Sequence, residues 1–124
     1  MATIPLKYIT RQAEITAKFM EAMNTHMDAF MAGETEHMLS LKEIAAIMCL
    51  HPVHVTNVIK LHTGHHPCYF YEHRILAEAR ALLKNPHLSI TDIAIRLTYD
   101  TSNFTKFFKQ YEGITPSAFR KQNT

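Results

Sequence analysis

The stretch SLKEIAAIMCLHPVHVTNVIKLHTGHHPCYF, residues 40–70, decides the fold, because its pattern returns 49 residues later as SITDIAIRLTYDTSNFTKFFKQYEGITPSAF, residues 89–119. The two segments superpose without a gap. Eight positions are identical: Ser40/Ser89, Ile44/Ile93, Ala45/Ala94, Thr56/Thr105, Lys60/Lys109, Gly64/Gly113, Pro67/Pro116 and Phe70/Phe119. A pattern repeated at a fixed spacing indicates that one structural unit is present twice.

Each copy begins with the sequence signature of a short helix. Ser40 and Ser89 are followed three residues later by Glu43 and Asp92, the spacing of a capping box that satisfies free backbone N–H groups. Apolar residues then recur at i, i+3, i+4 and i+7, which places them on one helix face. They are Leu41, Ile44, Ala45 and Met48 in the first copy, and Ile90, Ile93, Ala94 and Leu97 in the second.

A second helix is predicted about four residues later in each copy, starting near Pro52 and near Asp100, and ending at Gly64 and Gly113. Its buried face is predicted to contain Val55, Val58, Ile59 and His62, matched by Phe104, Phe107, Phe108 and Tyr111. Two helices joined by so short a turn form a helix-turn-helix unit. A helical solenoid is the weaker interpretation, because solenoids need about three repeats or more.

The segment between the copies predicts a connecting helix over residues 67–84, and a final helix is predicted over residues 115–122. About 17 helical residues make a rod about 25 Å long. One turn of B-DNA is about 34 Å, so such a rod suits two units that enter successive major grooves.

Length and composition favour a helical protein with one domain-sized core. At 124 residues, with 47% hydrophobic and only three Gly residues, it is long enough for one domain-sized core and favours helix over a turn-rich β fold. Two cysteines make no disulfide framework, and neither a signal peptide nor an apolar run of about 20 residues occurs. We therefore expect an all-α protein of about seven helices, located in the cytoplasm and without a membrane partner.

Charge divides the sequence between residues 38 and 39. Residues 1–38 carry three basic and five acidic side chains, a net charge of −2, whereas residues 39–124 carry ten against six, a net charge of +4. A basic body favours an anionic partner, although this surplus is modest. The predicted organisation is thus an N-terminal helix and link over residues 1–38 and a second region over residues 39–124.

The N-terminal region predicts one long helix over residues 8–32, with a stripe formed by Phe19, Met20, Met23, Met27, Phe30 and Met31. Core packing against the first helix-turn-helix unit is the simplest role for this stripe. Its length also allows a homodimer contact or the docking of a sensor domain.

The second copy carries a family resemblance. SITDIAIRL at residues 89–97, followed by SNFTKFFKQYEGITPSAFRK at residues 102–121, resembles the signature of the AraC/XylS family of bacterial transcription regulators. RILAEARALL at residues 74–83 resembles the connecting helix of that family. Cys49 and Thr98 stand where many members have Gly, so each turn must either avoid a left-handed backbone or accept strain.

The resemblance implies a sequence-specific regulator that binds double-stranded DNA through two recognition helices and acts, as an activator, with RNA polymerase. By position, the base-contact candidates are Val53, Thr56, Asn57, Ser102, Thr105 and Lys106. The phosphate-contact candidates are Ser40, Lys42, Lys60, Ser89, Arg96 and Lys109, with Thr63 and Arg120 as weaker ones. Each base-contact trio has the spacing i, i+3, i+4 on the face opposite the predicted core.

Other chemistries are weaker. His62, His65, His66 and Cys68 are metal-ligand types, and Cys68 at a helix start resembles the nucleophile of thiol repair proteins. Their segment spans a helix end and a Gly break, and no catalytic motif accompanies it, so we expect neither an enzyme, a bound metal nor a cofactor. A metal- or thiol-responsive DNA-binding protein is the least favoured alternative. A protein-interaction module of the same fold is the main one, since neither recognition helix contains Arg.

Overall fold

The computed structural model describes residues 6–123, and their side chains from residue 10 onward. Seven α-helices and no strand occur within this range, which confirms the predicted all-α class and the helix count. They are α1 (Leu6–Met31), α2 (Leu41–Ile47), α3 (Pro52–Thr63), α4 (Pro67–Leu83), α5 (Ile90–Arg96), α6 (Thr101–Glu112) and α7 (Pro116–Gln122).

The chain divides into two compact units at the Glu72–His73 bond, inside α4. The first unit contains α1, α2, α3 and the first turns of α4. The second contains the rest of α4 with α5, α6 and α7. The long N-terminal helix therefore shares a unit with the first helix-turn-helix, and the second helix-turn-helix has a unit of its own.

The core of the first unit is built around one stripe of α1. The buried side chains of α1 recur every three or four residues, as a single helix face requires, and are Ile15, Phe19, Met23, Met27 and Phe30. They belong to the same core as the buried residues of α2 and α3, which are Ile44, Ala45, Val55, Val58 and Ile59. Most of the predicted N-terminal stripe thus serves core packing, while Met20 and Met31 are half-buried.

Aromatic rings form the centre of the second unit. Phe104 and Phe108 are completely buried, and the ring of Phe108 lies 5.4 Å from that of Phe119, edge to face. Phe107 is half-buried and stacks on Tyr99 with ring centroids 5.2 Å apart. Edge-to-face and stacked rings add stabilisation beyond the area they bury.

One predicted core residue is not in the core. His62 occupies the position that the half-buried Tyr111 fills in the second copy, but it is exposed. Its Nδ1 lies 3.0 Å from the Thr16 hydroxyl of α1. Because that hydroxyl already donates to the Gln12 carbonyl, the imidazole nitrogen donates to the Thr16 oxygen. An imidazole keeps this polar contact at the edge of the core, whereas the phenol ring of Tyr111 packs on the ring of Phe107.

Both predicted capping boxes are present. The Ser40 hydroxyl accepts the Glu43 N–H at 3.2 Å, and the Ser89 hydroxyl accepts the Asp92 N–H at 3.0 Å. The two carboxylates accept the serine N–H groups in return, at 3.3 and 3.2 Å. These reciprocal bonds fix the starts of α2 and α5 by local sequence alone.

The turns of the two helix-turn-helix units share an uncommon backbone. Each is four residues long, and the second residue of each has a positive φ, 60° at Cys49 and 68° at Thr98. A left-handed backbone brings Cβ close to the next carbonyl oxygen, at a cost of roughly 1–2 kcal/mol for residues other than Gly. The strain is greatest at Thr98, whose side chain is branched at Cβ.

We therefore expect Thr98→Gly and Cys49→Gly each to raise the free energy of unfolding by about 0.5–1 kcal/mol, because Gly removes the clash but adds backbone freedom in the unfolded chain. Urea unfolding followed by circular dichroism measures this. Thr98→Ala and Cys49→Ala keep Cβ and are the matched controls, for which no such gain is expected. A loss of stability in the glycine variants would contradict the account.

The link between α1 and α2 is held at Leu39 from both sides. The Leu39 N–H donates to Nε2 of His26 at 3.0 Å, and the Leu39 carbonyl accepts the Tyr71 hydroxyl at 2.7 Å. His26 is buried, and its Nε2 accepts only while it carries no proton. Burial lowers the pKa of His26 below its ordinary value of 6.5, the nearby His37 lowers it further, and Glu43 opposes the shift.

This arrangement predicts that stability falls as the pH drops below about 6.5, since the unfolded chain then binds a proton on His26 that the folded chain excludes. Unfolding measured between about pH 8 and about pH 5, the range in which histidine side chains titrate, tests it. In His26→Gln the amide oxygen can still accept the Leu39 N–H, and we expect a flatter pH profile. An unchanged profile in that variant would assign the pH dependence to other groups.

Candidate nucleic-acid interface

The outer face of α3 carries the first base-contact trio. Val53 and Asn57 are exposed and Thr56 is half-buried, while the opposite face of the helix is buried. Val53 is 59% exposed, an unusual position for a valine on a helix whose other valines lie in the core. The helix begins with His51 as its N-cap, whose Nδ1 accepts the Val53 N–H at 3.1 Å. This bond fixes the first turn, which contains Val53.

The outer face of α6 repeats this arrangement. Ser102 and Lys106 are exposed and Thr105 is half-buried, as their counterparts on α3 are. The Thr105 hydroxyl donates to the Thr101 carbonyl one turn earlier, at 2.9 Å. Thr105 therefore presents its methyl group and a hydroxyl acceptor, because its only hydroxyl hydrogen is already bonded.

The two helices of the first pair meet at 95°, and a four-residue turn joins them. An angle of about 90–120° across a short turn is the geometry of DNA-binding helix-turn-helix motifs.

The length and hydropathy of the helices also bear on membrane insertion. No single helix in the described part of the chain is long and apolar enough to cross a bilayer, and α2 with α3 reaches that criterion only as a bent pair.

Positive charge is available beside both trios. Lys42, Lys60, Lys106 and Lys109 are exposed, and in residues 10–123 the structure gives none of their ammonium groups an ion pair. Arg96 is also exposed, at the last turn of α5. Free ammonium groups on the solvent side of a helix are placed to neutralise phosphates.

Ser40 and Ser89 have fewer free hydrogen-bond donors for a phosphate than their positions at helix starts suggest. Their backbone N–H groups already donate to the carboxylates of Glu43 and Asp92 in the capping boxes. Hydrogen bonds from His37 and from the Ser40 backbone lower the pKa of Glu43, so this carboxylate stays ionised. A phosphate at either helix start would meet the serine hydroxyl, with a carboxylate nearby.

The two weaker phosphate candidates, Arg120 and Thr63, form hydrogen bonds within the protein. The Arg120 guanidinium donates to the carbonyls of Leu83 and Asn85 at 2.9 and 3.3 Å, and so closes the C-terminal end of α4. The Thr63 hydroxyl donates to the Ile59 carbonyl at 2.7 Å. Arg120 thus contributes to the stability of the second unit, and its guanidinium is not free.

Sequence reasoning missed a contact at the start of α6. Asp100 is the N-cap, and one carboxylate oxygen accepts the Asn103 N–H at 2.7 Å while the other accepts the Asn103 side-chain amide at 2.8 Å. An Asp three residues before an Asn at a predicted helix start is the signal that could have revealed it. Asn103 is exposed, beside Lys106 on the helix surface.

The histidine- and cysteine-containing segment has structural contacts. The His65 ring stacks on Tyr69 at 4.0 Å, and His66 caps α4 by accepting the Cys68 N–H at 3.0 Å. Burial raises the pKa of the Cys68 thiol, and Glu72 raises it further, so the thiol is not activated as a nucleophile although it lies at a helix start. Within residues 10–123, no three His, Cys, Asp or Glu side chains are grouped to hold a metal ion.

Comparison with known proteins decides the family. A family model described as a helix-turn-helix domain matches residues 44–122, which begin inside α2 and include α3, the connecting helix and the second helix pair. The chain belongs to the AraC-type family of helix-turn-helix transcription regulators. This is a family of DNA-binding domains and not of enzymes.

Among curated proteins, the AraC-type chain is 26% identical over 122 residues to the transcriptional activator AarP of Providencia stuartii, covering 98% of this chain and 87% of AarP. It is 33% identical over 93 residues to the uncharacterised regulator YtdP of Bacillus subtilis, covering 72% of this chain and 12% of YtdP. The chain thus spans most of the first relative and a small part of the second.

Solved structures share the fold. An AraC-type DNA-binding domain protein from Chromobacterium violaceum superposes with a TM-score of 0.73 at 24% identity, covering 90% of this chain and 96% of that one. A DNA-binding dual regulator from Escherichia coli K-12 gives 0.71 at 17% identity, covering 88% and 91%. At these identities, the similarity is one of fold.

Proposed function

We propose that this AraC-type protein is a sequence-specific DNA-binding regulator that inserts α3 and α6 into successive major grooves of one asymmetric site. The observation that carries the proposal is the repeated exposure pattern on two equivalent helices, each presenting polar side chains opposite a buried apolar face. A helix is about as wide as the B-DNA major groove, so its outer side chains can reach base edges.

The exposed side chains differ between the two helices, which makes the site asymmetric. On α3, Asn57 pairs with adenine through N6 and N7, and Val53 contacts a thymine methyl group. On α6, Lys106 donates to guanine O6 or N7, and Ser102 contacts a base edge nearby. The half-buried Thr56 and Thr105 contribute methyl contacts and hydroxyl acceptors.

Phosphate contacts hold the two helices in register. Lys60 and Lys109 lie about one turn beyond the base-contact trios, and Lys42 and Arg96 lie on the preceding helices. The hydroxyls of Ser40 and Ser89 add contacts at the helix starts. Such contacts supply sequence-independent affinity and make binding depend strongly on salt.

The connecting helix supports the use of two grooves. α4 is continuous over 17 residues, so it is a rod about 25 Å long with no break at the division between units. Successive major grooves on one face of B-DNA are about 34 Å apart, which is the separation of α3 and α6 that the proposal requires.

The first curated relative is described as an activator, and this supports a proposal for the regulatory outcome. We propose activation of transcription in the bacterial cytoplasm, by contact with RNA polymerase at the bound promoter. The N-terminal helix is the remaining candidate for a homodimer contact or a sensor-domain contact, although its main apolar stripe lies in the core.

Selection from a random duplex pool tests the function. The full chain is incubated with the pool at low salt, and bound duplexes are sequenced and their affinities titrated against salt. We expect one enriched, non-palindromic motif whose log affinity falls linearly with log salt, by about 0.9 per phosphate neutralised. Lys18→Ala, a charge removal on α1, is the control and should leave both the motif and the slope unchanged.

The alternative is a protein-interaction module with this fold. Three large apolar side chains favour it: Ile47, Leu61 and Ile95 are 60%, 73% and 66% exposed. Exposed apolar side chains of this size are common at contact surfaces when they are contiguous. Failure to bind any duplex at low salt would favour this alternative over the DNA-binding proposal.

A further inference from the structure

The carboxylate of Asp100 holds Asn103 at two points. One oxygen accepts the Asn103 backbone N–H at 2.7 Å and the other accepts Nδ2 of its side chain at 2.8 Å. A carboxylate accepts hydrogen bonds but cannot donate them, so Nδ2, and not Oδ1, faces Asp100. The orientation of the Asn103 amide is thereby fixed before any ligand binds.

The fixed amide leaves two groups free toward solvent. Nδ2 has a second hydrogen, and Oδ1 has no hydrogen-bond partner in the part of the chain that the structure describes. The exposed side chain therefore presents one acceptor and one donor. Adenine offers the complementary pair in the major groove, N6–H as donor and N7 as acceptor. Guanine offers two acceptors, O6 and N7, and its O6 would face the Asn103 oxygen without a hydrogen.

From this geometry we infer that Asn103 is a specificity-determining residue that selects adenine at one base pair of the site, and that Asp100 is its positioning residue. The inference rests on the proposed DNA-binding function and deepens it. Asn103 lies in the first turn of α6, next to Lys106 at the i+3 position, so both side chains face the same short stretch of groove.

The first copy has no such pair of hydrogen bonds at the start of its recognition helix, so the oriented amide is specific to α6. The N-cap there is His51, which uses one ring nitrogen on the Val53 N–H. His54, the counterpart of Asn103, is exposed, and within residues 10–123 no hydrogen bond holds its ring. Only the second recognition helix therefore presents an oriented amide in its first turn.

The Asp100 carboxylate also opposes DNA binding in general, because it places negative charge near the phosphates. Asp100→Asn separates the two effects. Asn is as good an N-cap as Asp, so the helix start is kept. An amide at residue 100 is uncharged, and its NH2 group can donate to Oδ1 of Asn103 just as its oxygen can accept from Nδ2, so the orientation of the Asn103 amide is no longer fixed. The variant should bind random duplex more tightly and discriminate less.

The test uses the full chain and the motif selected from the random pool. Affinities for the motif and for its single-base variants are measured for the native chain, Asn103→Ala and Asp100→Asn, with Glu34→Gln as a control that removes one exposed negative charge from the link after α1. In the half of the motif that α6 contacts, and apart from the position assigned to Asn57 on α3, we expect one A·T position at which the native chain discriminates by about 5-fold to 100-fold. Both α6 variants should flatten that position and no other, and Glu34→Gln should leave it unchanged.

Each outcome is decisive. If a motif is selected but Asn103→Ala flattens no position, or flattens one that is not A·T, the specificity role is wrong while the DNA-binding function stands. If Asn103→Ala flattens the position and Asp100→Asn does not, the positioning role is wrong. If no motif is selected, the proposed function fails and this inference fails with it. Thermal melting of each variant shows that it is folded, and Asp100→Asn, with its cap retained, remains available if Asn103→Ala unfolds.

Discussion

Phe108→Ala lowers the free energy of unfolding of the second unit by about 3–5 kcal/mol, the largest loss that we expect from a single substitution. The Phe108 ring is completely buried, between Phe104 at 6.0 Å and Phe119 at 5.4 Å. Its removal leaves a cavity bordered by rigid aromatic rings, which cannot collapse into the space as flexible aliphatic chains can. Urea unfolding, followed by circular dichroism, measures the loss.

The repeat provides a matched variant in the other unit. Ile59 occupies the equivalent position on α3, and it too is completely buried. Ile59→Ala is expected to cost about 2–5 kcal/mol, but in the first unit. Phe107→Ala, on a half-buried ring of the same helix, should cost less than Phe108→Ala. A loss below about 1 kcal/mol for Phe108→Ala would show that the aromatic cluster is not the core of the second unit.

Asn57→Ala and Lys60→Ala should weaken DNA binding in two different ways. Asn57 lies on the exposed face of α3 at the base-contact position, so its loss should relax the preference at one base pair by about 1–3 kcal/mol. Lys60, one turn further on, should contact phosphate. Its loss should weaken all sequences about equally and reduce the salt slope by about 1.

Titrations of the selected motif, its single-base variants and random duplex, at several salt concentrations, separate the two effects. Lys109→Ala is the matched partner of Lys60→Ala in the second copy and should behave in the same way. If Asn57→Ala weakened all sequences equally, or if Lys60→Ala altered the base preference, the assignment of base and phosphate contacts on α3 would be wrong.

The helix pattern was predictable because it is encoded locally. The capping boxes at Ser40 and Ser89, and the left-handed glycines Gly64 and Gly113, fix helix ends through neighbours within a few residues. Repetition of these signals after 49 residues strengthens each of them. The seven helices and the two helix-turn-helix units follow from such signals.

Features that depend on distant residues were not predictable in the same way. Exposure of His62 depends on Thr16, 46 residues earlier, which gives its ring a polar partner at the edge of the core. Similarly, Arg120 caps the end of α4, 37 residues before it. From the sequence, the turns at Cys49 and Thr98 could either avoid a left-handed backbone or accept its strain. The structure shows the strained, left-handed backbone at both residues. Periodicity describes one helix at a time and does not report such long-range partners.

The two hydrogen bonds between Asp100 and Asn103 were predictable from the sequence only in part. Its residues are close in sequence, and Asp is a common N-cap, so the backbone hydrogen bond could be expected. The side-chain bond depends on the Asn103 rotamer, which sequence patterns do not specify. Candidate base contacts can thus be located from the helix face, but the orientation of each side chain requires coordinates.

Methylation interference on the selected duplex tests the central claim most directly. Methyl groups at guanine N7 lie in the major groove and block helices that enter it. We predict two clusters of interfering positions on one face of the duplex, centred about 10 base pairs apart, with weaker interference at one guanine of the α6 cluster in Lys106→Ala. A single cluster, or two clusters on opposite faces, would contradict the insertion of α3 and α6 into successive major grooves.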